Sequence, residues 1–148
     1  MYKHILVAIN LTPRAYNALK EGIKFAHLYK SKITLINVHE EFLNKQEMLM
    51  SRVSVEKLQE TFKEISLKAK EEIQHIINDL DGSDINVEIL LKEGNASHEI
   101  INISNEIKPD LIIMGSNGKD SISDYILGTT TDYVVDNSKY PVLVIPNI

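Results

Sequence analysis

The sequence predicts an α/β domain built on a parallel, doubly wound sheet of five strands with helices on both faces. Three observations carry this expectation. Five short, mostly apolar runs, at residues 4–9, 33–38, 85–91, 111–114 and 140–146, have strand length, and Leu111 to Met114 is unbroken, as in a strand buried on both faces. Between them lie stretches whose apolar residues recur at spacings of three and four, as on one face of a helix. Strand and helix then alternate from end to end, the pattern of parallel βαβ units. At 148 residues, 43% apolar and 25% charged, the chain fits one domain spanning 1–148.

The first run, His4 to Ile9, ends at Asn10-Leu-Thr-Pro13, where Thr12 can cap a helix and Pro13 can occupy its first position without losing a needed donor. That helix carries Ala15, Ala18, Leu19, Gly22, Ile23 and Ala26 on one small apolar face, with Gly22 marking close approach to a sheet. Ile33 to Val38 is the second strand, and its end should lie beside the end of the first. Glu40 to Arg52 has no clean period yet contains Phe42, Leu43, Met48, Leu49 and Met50; it reads as a lid, a helix extension, a partner contact or a surface segment packing a few side chains. From Ser54 to about Leu80, Val55, Leu58, Phe62, Ile65, Ala69, Ile73, Ile76, Ile77 and Leu80 stripe one long helix, ended by Asp81-Gly82-Ser83. Ile85 to Leu91 is the third strand. Gly94-Asn-Ala-Ser97 turns into a helix with Ile100, Ile103 and Ile107 inside and Pro109 closing it. Leu111 to Met114 is the fourth strand, and Tyr140-Pro-Val-Leu-Val-Ile-Pro146 is the last, bounded by prolines that cannot donate into a ladder.

The fourth strand stops at Gly115, and a helix resumes only after Gly128, where Thr129, Thr130 and Thr131 read as an N-cap cluster before Asp132, Tyr133, Val134 and Val135. About fourteen residues join the two, whereas such loops usually take roughly 2–6. Glycines at 115, 118 and 128 allow φ > 0 and close approach of a ligand to the amides, and a helix N-terminus adds donors and partial positive charge. Together these make a phosphate nest; the alternative is a loop of turn glycines with an ordinary threonine cap. It is not a Walker A loop, because the residue five before Gly118 is Ile113, and the chain has no G-x-G-x-x-G.

Composition narrows the function. A formal net charge of −5 argues against a nucleic-acid or anionic-membrane surface. The absence of cysteine excludes disulfides, thiolate metal sites and cysteine catalysis, and fits a cytoplasmic protein. No apolar run approaches the roughly 20 residues of a membrane span. His4, His27, His39, His75 and His98 show no metal-ligand spacing, and no Ser-His-Asp elbow or aromatic platform for single-stranded nucleic acid is present. Asp120, Asp124 and Asp132 lie near the glycine loop, either as water-mediated Mg²⁺ ligands or as caps and solvated charges.

Gly115, two residues, Gly118, nine residues, Gly128 and Thr129 resembles the nucleotide-binding signature of the universal stress protein family, in its ATP-binding branch. The likeness extends from Lys3-His-Ile-Leu-Val-Ala-Ile through Asp110-Leu-Ile-Ile-Met-Gly115 to the closing proline-bounded strand. It implies strand order 3-2-1-4-5, which would set Asn10 and Gly115 on opposite sides of one crevice at the switch point. It also implies a homodimer, an unknown signalling partner and a stress-response role in the cytoplasm; in that strand order the last strand, Val142 to Ile145, lies at a sheet edge, where its unpaired backbone groups would join the two copies. Carried over residue by residue, it puts Ala8, Ile9 and Asn10 near base and ribose and Val38 on the base. Met114, Gly115, Asn117 and Gly118 would follow ribose and phosphates, with Gly128, Thr129, Thr130 and Thr131 cradling the phosphate chain. Two positions depart from the pattern: Asn10 stands where the family has aspartate, and Asn117 where it often has histidine. The expected function is ATP binding for regulation, with Mg²⁺ as a further expected ligand. Competing readings are a slow ATPase or nucleotidyl transferase, for which Lys119 and the threonines offer themselves, and an interaction module with an empty loop.

Overall fold

A computed structural model describes residues 1–10, 16–39, 55–116 and 128–146. Thr12, Pro13, Ala15, the 40–52 segment, Asn117, Gly118, Lys119, Asp120 and Asp124 therefore lie outside the described residues. The elements are β1 (His4–Ala8), α1 (Tyr16–Tyr29), β2 (Lys32–His39), α2 (Val55–Asp79), β3 (Val87–Glu93), α3 (Ala96–Ile107), β4 (Leu111–Gly115), α4 (Thr129–Asn137) and β5 (Val142–Ile145). All strand pairs are parallel, and the sheet order is β3-β2-β1-β4-β5. Both the fold class and the strand order agree with expectation.

Because side chains alternate across a strand, the buried runs split into two cores. Ile5, Val7, Ile33, Leu35, Leu111 and Ile113 pack under α1 and α2, against Ala18, Leu19, Ile23, Ile73 and Ile77. Leu6, Ala8, Ile36, Ile112 and Met114 pack under α3 and α4, against Ile100, Ile103 and Val134. A fully buried Leu or Ile in either layer contributes roughly 1.5–3 kcal/mol relative to exposure. Gly22 does mark a close approach: a Cβ there would stand 2.8 Å from Val7 Cγ2.

Several boundaries shift for local reasons. β1 ends at Ala8, one residue early, although the Ile9 N–H still donates to the Ile36 carbonyl at 3.0 Å. Ile85 belongs to a turn, its N–H donating to the Gly82 carbonyl at 3.0 Å, so β3 starts at Val87. α2 is half-buried at Phe62 and Ile65 and fully buried only from Ala69 onward, so its expected stripe engages the sheet mainly along its second half. The α3 helix stops at Ile107 because Lys108, which precedes Pro109, is barred from the helical region and takes a left-handed conformation, φ 50°. Among the described residues, no helix is long and apolar enough to cross a membrane.

Candidate functional site

The β1 and β4 strands are neighbours in the sheet with Ala8 opposite Met114, and their connections leave in opposite directions, β1 toward β2 and β4 toward β5. Their carboxyl ends therefore bound the switch-point crevice of a doubly wound sheet. Asn10 and Gly115 flank it, as expected. Ala8 and Met114 are buried on the α3/α4 side, and Val38, partly buried, packs on that same side. Ile9 differs: its side chain joins the core beneath α1, so only its backbone borders the crevice.

Beyond Gly115 the chain is held by backbone bonds. The Ser116 N–H donates to the Ile145 carbonyl at 2.8 Å, and the Gly128 N–H returns to the Ser116 carbonyl at 2.8 Å. Ser116 and Gly128 are thus held together beside the end of β4. Thr131 adds a third tie, its Oγ1 donating to the Gly115 carbonyl at 2.7 Å. These bonds seat the N-terminus of α4 at the mouth of the crevice.

The threonine cluster does not cap this helix. Gly128 is the N-cap, φ −63° and ψ 157°, and makes no side-chain cap bond; Thr129, Thr130 and Thr131 form the first turn. That φ is one any residue adopts, so Gly128 matters here for its missing side chain and not for a left-handed backbone. Gly128 has no side-chain oxygen to accept the first-turn amides, and the helix N-terminus, with its partial positive charge, lies beside the end of β4. Helix α3 differs: Asn95 Oδ1 accepts from the His98 N–H at 3.1 Å and from Ser97 Oγ at 2.6 Å. The three threonines also separate. Thr131 is buried with its hydroxyl on Gly115, whereas Thr129 is exposed and Thr130 half-buried. Next to them, His98 and Tyr133 meet edge to face, ring centroids 5.3 Å apart.

Asp132 is exposed in the first turn of α4. Among the described residues, no group of three or more His, Asp or Glu side chains converges to hold a metal. Three other histidines pack or pair: His4 Nε2 with Thr34 Oγ1 at 2.7 Å, His27 with Asp84 at 3.0 Å, and His39 edge-on to Phe62, whereas His75 is exposed. Sequence reasoning passed over Asn37, which is 3% exposed and donates from Nδ2 to the Ile9 carbonyl at 2.9 Å. The signal was present: an asparagine inside an otherwise apolar buried run needs a hydrogen-bond partner.

Residues 1–146 match the universal stress protein family. The universal stress protein MJ0577 of Methanocaldococcus jannaschii is 30% identical over 98% of this chain and 95% of its own length. The solved structure of MJ0577 superposes with a TM-score of 0.79 at 29% identity, covering 98% and 96% of the two chains. Two more distant structures share the fold. One is a universal stress protein in complex with cAMP, with a TM-score of 0.65 at 15% identity, covering 99% and 98% of the two chains. The other is that of Archaeoglobus fulgidus in complex with dAMP, with a TM-score of 0.63 at 17% identity, covering 97% and 98%. With a family match over nearly its whole length and a relative aligned almost end to end, this chain belongs to the universal stress protein family.

Proposed function

We propose that the chain acts as one nucleotide-binding domain that holds ATP at the β1/β4 switch point and signals its occupancy, as a homodimer joined through β5. The observation that carries this reading is the uncapped N-terminus of α4: Gly128 leaves the first-turn amides without a side-chain acceptor, at the place where a doubly wound sheet binds its ligand. The phosphate chain would lie against the amides of Thr129 to Thr131 and the hydroxyls of Thr129 and Thr130. Gly115, Asn117 and Gly118 would border the phosphates, and Ala8, Asn10, Val38 and Met114 the nucleoside. Relatives in complex with cAMP and dAMP support adenine as the base, since both ligands carry it. Mg²⁺ would arrive with the triphosphate, and Asp132, in the first turn of α4, is a carboxylate that could meet it through water. The edge position of β5 supports the dimer, because an edge strand offers unpaired backbone groups to a second copy.

The test pairs native mass spectrometry of freshly purified protein with thermal titration of the parent and Gly128→Ser. Serine at the N-cap supplies the missing acceptor, so it raises the stability of the free protein by a few tenths of a kcal/mol while competing with phosphate. ATP at 100 times its dissociation constant should stabilise the parent by about 2.7 kcal/mol. The same ATP concentration should shift the serine variant less. A parent that carries no nucleotide and does not respond to ATP removes the proposal.

A further inference from the structure

In a parallel pair, alternate residues of a strand send both backbone groups to the same neighbour. Along β2 these are the even-numbered residues toward β1: Lys32 N–H donates to Lys3, and Ile36 accepts from the Ile9 N–H at 3.0 Å. The next step would have the Val38 N–H donate to the Ile9 carbonyl. That carbonyl accepts instead from the side chain of Asn37, at 2.9 Å, and the β1–β2 register ends at Ala8 with Ile36. β2 itself continues, held by β3 through Val38 opposite Lys92 and His39 opposite Glu93. Val38 thus turns its N–H and C=O toward the Ile9–Asn10 corner, one step past the last ladder bond.

Nothing about packing asks for an asparagine here. Position 37 lies on the α1/α2 side of β2 with Ile33 and Leu35, where an apolar residue would bury cleanly. Asn37 instead buries an amide whose Oδ1 has no hydrogen-bond partner. Among the described residues, its side chain bonds to the Ile9 carbonyl, the acceptor that would otherwise take the Val38 N–H. We propose that Asn37 is a positioning residue that ends the β1–β2 ladder and so presents the Val38 backbone as a donor–acceptor pair to the base of the nucleotide. This rests on the nucleotide reading above and gives it selectivity. Adenine sets the N6 donor beside the N7 acceptor, which matches one C=O and one N–H, whereas guanine sets two acceptors, O6 and N7, side by side.

Asn37→Ala and Asn37→Val test it together, one under-filling and the other slightly over-filling the position, so that a folding defect in one leaves the other to be read. Hydrogen exchange of the Val38 amide is measured first, without ligand. It should be fast in the parent and slow in the variants, because the freed Ile9 carbonyl recaptures it. Titrations with ATP and with inorganic tripolyphosphate follow. Loss of a two-bond base contact should weaken ATP by about tenfold or more in the variants and leave tripolyphosphate unchanged. A Val38 amide already protected in the parent, or still fast in both folded variants, overturns the proposal. So does equal loss of ATP and tripolyphosphate, or no loss of either. If the parent binds neither ligand, the nucleotide reading fails, and the exchange result alone judges what Asn37 does to the ladder.

Discussion

Replacing Thr131 with valine separates the residue that seats α4 from those that would touch phosphate. Thr131 is 3% exposed, and its hydroxyl donates at 2.7 Å to the Gly115 carbonyl, the last backbone acceptor of β4. Valine keeps the volume and the β-branch but leaves that carbonyl without its donor. A lost hydrogen bond is worth roughly 0.5–1.5 kcal/mol, and an acceptor left unpaired costs up to about 3 kcal/mol; the added methyl recovers part of this. The expected net loss is about 1–2 kcal/mol, a fall in Tm of roughly 2–8 °C for a domain of this size. Urea denaturation should show a lower midpoint at unchanged m-value, since the surface exposed on unfolding is the same. Thr130→Val is the control. Thr130 is half-buried, and among the described residues its hydroxyl makes no bond that fastens the helix, so stability should stay within about 0.5 kcal/mol of the parent while ATP affinity falls. A Thr131→Val protein that melts with the parent, or a Thr130→Val protein that loses as much stability, would refute this division of labour.

At Gly22, an alanine Cβ would meet Val7 Cγ2 at 2.8 Å, and overpacking by roughly 1–3 kcal/mol should outweigh the helix propensity gain of about 1 kcal/mol. In a Val7→Ala background the clash is gone and Gly22→Ala should stabilise, so a double-mutant cycle should show coupling of about 1 kcal/mol or more. Burial, and secondarily Lys32, lowers the pKa of His4 below its ordinary 6.5. The unfolded chain then binds the proton first, so stability contributed at this site is lost as pH falls below about 6.5 and levels off below the folded-state pKa. The stability of the parent relative to His4→Gln should therefore be constant from neutral pH upward and fall as the pH drops below about 6.5, as paired urea denaturation curves would show. Sedimentation should find a homodimer at micromolar concentration and a monomer for Val144→Lys, chosen over Val142 because Val142 packs against the α3/α4 core.

The fold was legible because burial on both faces of a parallel sheet leaves unbroken apolar runs such as Leu111 to Met114, and because Pro109 and Gly82 punctuate the helices between them. The strand order was not written in any local pattern and came from family likeness. Within the site, the convergence of Asn10 and Gly115 followed once that order was known. Roles resting on a single hydrogen bond were not legible. Three adjacent threonines look alike in sequence, and only the pitch of α4 sends Thr131 inward to Gly115 while Thr129 stays exposed. Ile9 was placed beside the nucleoside, yet the alternation of β1 points its side chain beneath α1. Asn37 lay unnoticed inside a strand, since only the register between β1 and β2 reveals which carbonyl its amide takes.

The pairing of β1 with β4 has a consequence for how the molecule comes into being. The strands that flank the crevice are joined where the His4 N–H meets Asp110 Oδ2 and the Asp110 N–H meets the His4 carbonyl, contacts 106 residues apart in sequence. A growing chain emerging from the ribosome at roughly 5–20 residues per second has β1 long before it has β4. Throughout that interval the central strand has one edge open, and closing so long a loop is the slow step that high contact order imposes. No nucleotide can guide that search, because the place where it would sit does not exist until the two strands have met. Occupancy can only hold together a domain already built, so its kinetic effect belongs to the rate of coming apart.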